Sequence, residues 1–155
     1  MCAIVDKNVV GLVFSDHRGR SEAARKFLEY IDSGKLRLVV GGRLAEELAK
    51  SSMFRSWLAE AVQSGTASFI PTQKVDEVEQ RLIQEGKFKS DDPHVLALAR
   101  VAGARLLYTH DDALTEDFKN PALIPEPRGK VYRTSSTARF GKHHRRMLDN
   151  ANCRT

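Results

Sequence analysis

The chain has 155 residues, with 25 Lys+Arg against 20 Asp+Glu and 41% hydrophobic residues. That length suits one domain, at roughly 100–200 residues each, and the apolar content excludes a wholly disordered chain. The longest apolar stretches, LRLVV and VLALA, fall far short of the ~20 residues that span a bilayer, so no membrane partner is expected. Asp6-Lys7-Asn8 cuts the first apolar run, which also lacks the basic lead of a secretory signal. Cys2 and Cys153 have neither CxxC nor zinc spacing and form no disulfide framework, which points to a reducing, cytoplasmic setting.

In chain order, Cys2-Ala3-Ile4-Val5 is a short, fully apolar run, as a buried parallel strand reads. Residues 20–33 set Ala24, Phe27, Leu28 and Ile31 at helical spacing, with Gly34 as a stop. Residues 36–40 form a second strand, closed by Gly41-Gly42. Residues 43–51 and 53–64 read as two helices. Residues 67–70 are a third strand stopped by Pro71, and a helix opens at Thr72. Asp92-Pro93 starts an apolar helix that ends at Gly103. Residues 105–108 are a fourth strand, residues 111–118 a short helix, and residues 130–133 an edge strand. Residues 134–155 are polar and basic, with helical character around Arg145–Leu148.

Strands alternating with helices imply an α/β fold: a mainly parallel sheet of four or five strands in a three-layer α/β/α sandwich. In such folds ligands bind beyond the carboxyl ends of the strands. Acids gather there. Asp6 ends the first strand, Glu46 and Glu47 follow the second, Asp111 and Asp112 follow the fourth, and Asp91 and Asp92 open the helix leading into it. Converging carboxylates repel unless a cation compensates, and Mg²⁺ or Mn²⁺ prefers such oxygen donors. Each acid also has a plain structural role available. Asp92 and Asp111 can cap helices, and Glu46 can pair with Lys50. Asp6, ending an apolar strand, is the hardest to explain away.

Charge is unevenly placed. Residues 1–127 hold 17 basic and 19 acidic side chains, whereas residues 128–155 hold 8 basic and 1 acidic. The chain therefore divides into a slightly acidic body, 1–127, and a basic C-terminal extension, 128–155. Arg139, Lys142, Arg145 and Arg146, with Tyr132 and Phe140 interspersed, suit single-stranded RNA through phosphate contacts and stacking. The plainer alternative is a solvated tail.

Two segments resemble PIN domains. AIVDKNVV has the family's apolar strand, Asp6, and a small polar residue two places on, Asn8. DPHVLALARVAGARLLYTHDDAL has its Asp92, alanine-rich helix, Gly103, apolar strand, and Thr109-x-Asp111. LAEEL supplies the middle acid, Glu47. The resemblance covers about residues 2–118. It implies a Mg²⁺- or Mn²⁺-dependent ribonuclease with Asp6, Glu47, Asp92 and Asp111 as metal ligands, and Asn8 and Thr109 orienting ligands or water. Small members of the family are often bacterial toxins, which implies RNA as substrate, a cognate antitoxin and a homodimer as partners. The alternative is a catalytically silent PIN-like module that binds RNA or protein. Glu46, Asp91 and Asp112 stay open as alternates, because each adjoins its rival and periodicity does not separate them. Asp117 reads as a surface residue of the short helix, with a further acid at the site as the alternative. Among the histidines, His110 is better placed as a proton carrier than His94 or His17, but it reads first as a partly exposed loop histidine.

Overall fold

The computed structural model describes residues 2–14, 21–134 and 139–150. Cys153 and His17 lie outside them. Five strands form one all-parallel sheet: β1 Cys2–Val5, β2 Arg37–Gly41, β3 Ala67–Ile70, β4 Leu106–Tyr108 and β5 Lys130–Tyr132, in the order β3-β2-β1-β4-β5. The sandwich expected from the alternating pattern is the fold observed. The central strand β1 is buried at all four positions, as an apolar run flanked by strands and covered on both faces must be. Cys2, at its head, is disulfide-bonded, unlike the sequence expectation.

The helices are α1 Val10–Val13, α2 Glu22–Asp32, α3 Gly42–Leu48, α4 Ser52–Ser64, α5 Thr72–Glu85, α6 Pro93–Ala102, α7 Asp112–Lys119 and α8 Lys142–Asp149. A 3-10 turn over Lys7–Val9 precedes α1. Sequence reading missed this turn and α1, because both are shorter than a helical period can register. No described helix is long and apolar enough to cross a membrane.

On one face, Phe27 of α2 packs against Tyr108 and Tyr132, with ring centroids 4.9 and 5.4 Å away. Phe54 and Trp57 of α4 close over Phe14 on the same side. On the other face, α3, α5 and α6 pack on one another, and α6 lies on the sheet. The turn from β2 into α3 is tight. Gly42 has φ +58°, and a Cβ there would come within 2.8 Å of Val75 Cγ1. A side chain at this position would push α3 away from α5 and carry Glu47 with it.

The chain beyond Pro127 shares this core. Tyr132 and Leu148 are fully buried, and Val131 nearly so. Tyr132 Oη donates to Ala23 O at 2.6 Å, tying β5 to α2. At the start of α8, Gly141 N donates to His144 Nδ1 at 3.1 Å, and the His144 ring sits 4.9 Å from Tyr132.

Candidate active site

The chain runs outward from β1 to β2 and β3, then crosses back to β4 on the opposite side of β1. The carboxyl ends of β1 and β4 therefore flank the switch point where such sheets bind ligands. Asp6 follows β1 directly and is 2% exposed. Its N–H continues the sheet pattern by donating to Tyr108 O at 3.0 Å. Its Oδ1 accepts from Lys7 N at 2.8 Å and its Oδ2 from Thr109 Oγ1 at 2.7 Å. Burial raises its pKa above the ordinary 3.8. Those hydrogen bonds and the Lys7 charge pull the other way, and the charge of Asp111 adds to the rise.

Asp92 is 6% exposed. It stands at the N-cap position of α6, yet its side chain caps none of the helix N–H groups. The capping role, which was a sufficient explanation at the sequence level, is absent. Its pKa is raised by burial and then by the charge of Asp6. His94 and Lys7 partly offset this, and Glu47 adds to it. The charges of all four acids, Asp6, Glu47, Asp92 and Asp111, are thus linked through one region.

The loop that delivers Asp92 is held by Asp117. This residue is 2% exposed, which corrects its reading as a surface acid. Its carboxylate accepts from Lys89 N at 2.9 and 3.1 Å and from Ser90 N at 2.8 Å. Asp117 therefore positions the loop and takes no place among the clustered acids. Asp117→Asn turns one oxygen into a donor facing backbone N–H groups. It should cost about 2–3 kcal/mol in urea unfolding, as the loss of charged hydrogen bonds to buried donors does. Unchanged stability would contradict the anchor.

Glu47 on α3 is one-fifth exposed. Its Oε2 is 3.1 Å from Lys7 Nζ, which also lies 3.9 Å from Asp92 Oδ1. Its Oε1 is 2.5 Å from His94 Nε2. That approach makes an ion pair when the ring is protonated, but neither ring nitrogen of the buried His94 has an aligned hydrogen-bond partner. His94, not His110, is thus the histidine beside the acids. His110 is exposed, and its N–H donates to Asn8 Oδ1 at 3.3 Å.

The paired acids separate by surroundings. Glu46 and Asp91 are exposed and lie at the rim of an open cleft of about 410 Å³, which Lys7, Arg43, Glu47, Lys50, Asp92 and His94 also line. Asp112 is exposed and paired with Arg133 at 2.8 Å. Asp111 is half-buried and caps α7 through Leu114 N at 2.9 Å. Thr109 Oγ1 accepts from Asp111 N at 3.1 Å while donating to Asp6. One hydroxyl therefore fixes the spacing between these two acids. Arg139, Lys142, Arg145 and Arg146 are all exposed, on or just before α8.

The donor chemistry fits a hard divalent cation: buried carboxylate oxygens whose charges are incompletely compensated. Among the described residues, no group of three or more potential ligands is drawn together tightly enough to hold an ion as it stands. The ammonium of Lys7 stands between two of the acids instead.

No protein-family model matches the sequence, and no curated protein does. Among solved structures the chain is similar to VapBC2 from Rickettsia felis, bound to a DNA fragment from their promoter. The match has 17% identity, a TM-score of 0.49, and covers 87% of this chain and 100% of that one. A likeness at this level assigns neither a family nor an activity to this chain.

Proposed function

We propose that the chain is a Mg²⁺- or Mn²⁺-dependent ribonuclease acting at the cleft beside Asp6 and Asp92. The observation that carries the reading is the pairing of these two carboxylates. They are buried at the switch point, carry raised proton affinity, and Asp92 has no capping role to explain it. Asp6, Glu47, Asp92 and Asp111 would hold the cation. When bound, it supplies charge neutralisation at the phosphate and a more acidic water for phosphodiester hydrolysis.

The chain's own residues do the rest. Thr109 favours the ionised form of Asp6 and orients it by donating to its Oδ2. Asn8 holds the His110 backbone, and with it the loop that carries Asp111. Arg139, Lys142, Arg145 and Arg146 offer cations for the phosphates of single-stranded RNA, and Arg145 lies 5.6 Å over the Phe140 ring. A cognate antitoxin and self-association in a toxin pair are part of the same proposal. The rival reading, a silent RNA- or protein-binding module, draws on Lys7, which already supplies one positive charge to the acids.

The test is cleavage of end-labelled single-stranded RNA in Mn²⁺, in Mg²⁺ and in EDTA. Metal-dependent cutting that disappears in Asp6→Asn supports the nuclease. Failure to cut several unrelated RNAs, together with no uptake of Mn²⁺, favours the silent module.

A further inference from the structure

We infer that Lys7 is a tethered counter-cation, occupying the acidic cleft in the metal-free protein and leaving it when a divalent cation enters. The inference rests on the carboxylate–metal reading above. Its basis is where the ammonium sits and how it is held. The Lys7 backbone is fixed at the root of the site, because its N–H donates to Asp6 Oδ1 at 2.8 Å. From there the side chain reaches two other elements, Glu47 on α3 and Asp92 at the head of α6, at 3.1 and 3.9 Å.

The exposures are unequal. The Lys7 side chain is 55% exposed, against 19% for Glu47 and 8% for Asp92. The acids are thus fixed in the protein, while the ammonium lies over them on a flexible stem open to solvent. It can swing out without disturbing any packed element. Arg43, which also lines the cleft, cannot substitute for it. Arg43 is committed to the buried Glu79 through two hydrogen bonds of 2.9 and 3.0 Å.

One monovalent ammonium faces three carboxylates here, those of Glu47, Asp92 and the adjacent Asp6. A compact divalent ion compensates that charge better than a lysine on a four-carbon stem. Exchange of one for the other carries a competition cost. Metal binds less tightly than the carboxylates alone would allow, and the metal-free site is spared an array of bare negative charges.

The experiment is a Mn²⁺ titration read from the electron paramagnetic resonance signal of the free ion, on wild type, Lys7→Met and Lys7→Gln. Both variants should bind Mn²⁺ about tenfold more tightly than wild type, since removing a competing partly buried charge pair is worth that order. Equal or weaker binding by the variants overturns the role of Lys7 and leaves the metal site standing. No Mn²⁺ uptake by wild type or variants overturns both. A measurement on wild type alone decides the matter if the variants fold poorly. Acetylation of Lys7, followed by peptide mass spectrometry, should rise several-fold at saturating Mg²⁺ as the ammonium is released. Unchanged labelling overturns the exchange.

Discussion

Asp6→Asn is expected to remove metal-dependent RNA cleavage, by on the order of a thousandfold, while raising the thermal stability of the metal-free protein. The two effects have one cause. Burial lifts the Asp6 carboxyl above its ordinary 3.8, so the folded protein holds this proton at pH values where the unfolded chain has released it. Such a group contributes fully to stability below 3.8, and the contribution is lost as pH rises through the folded value. Asp92 behaves the same way, and the charge of Asp6 is one reason. At neutral pH the metal-free protein therefore carries both acids at a cost.

Asparagine removes the charge at Asp6 and relieves Asp92. It keeps an oxygen to accept from Lys7 N, and the Thr109 hydroxyl can turn to accept from the new amide. Melting in EDTA at pH 7.5 should rise by about 3 °C, the shift that about 1 kcal/mol produces in a chain of this size. The gain should shrink as pH falls toward 3.8, because the wild-type carboxyl recovers its proton on the way down. His144 opposes this trend. Its pKa is lowered, first by burial and then by His143, so it loses stability as pH falls below 6.5. The difference between variant and wild type cancels that common term. A lower melting temperature for Asp6→Asn at neutral pH would mean the carboxylate is already compensated and calls for no added cation.

The sheet was legible in the sequence because its strands carry little else. Cys2–Val5 has no polar residue, and Gly41-Gly42 marks where β2 ends and α3 begins. The clustering of acids was legible as topology, but the choice within each doublet was not. Neighbours on a helix point about 100° apart, and only the packing of α3 against α6 decides that Glu47 faces Asp92 while Glu46 faces solvent. Asp117 was misplaced because its partners, the N–H groups of Lys89 and Ser90, are remote in sequence. A cue existed, since it adjoins Phe118 and lies three residues after Leu114, on the apolar side of α7. His94 gave a cue of the same kind, a single imidazole in the first turn of a helix whose other polar residue is Arg100 in its last turn. Lys7 gave none. Its place depends on three elements meeting, and no local pattern encodes that.

Tyr132→Ala should destabilise the protein by about 4 kcal/mol, in the range measured when buried aromatics are truncated. The ring is fully buried and contacts Phe27, Tyr108 and His144, with centroids 4.8–5.4 Å away. Its hydroxyl also donates to a buried backbone carbonyl of α2. Tyr132→Phe isolates that bond and should cost only about 1 kcal/mol.

Deleting everything after Pro127 goes further. It strips β5 from β4, removes Val131 and Leu148 from the core, and leaves the β4 edge unpaired. Stability on the order of 5–15 kcal/mol does not survive such a loss, so the truncated chain should show no cooperative urea transition. The damage would reach the acids as well. Thr109 N donates to Tyr132 O at 3.4 Å, and Arg133 donates to His110 O at 3.1 Å and to Asp112 at 2.8 Å. These contacts hold the loop that sets Asp111 beside Asp6. Truncation therefore cannot report on RNA binding by the basic segment. Charge reversal at Arg145 and Arg146, both exposed on α8, leaves β5 in place and can. A cooperative transition retained after Pro127 would show that the sheet closes at β4.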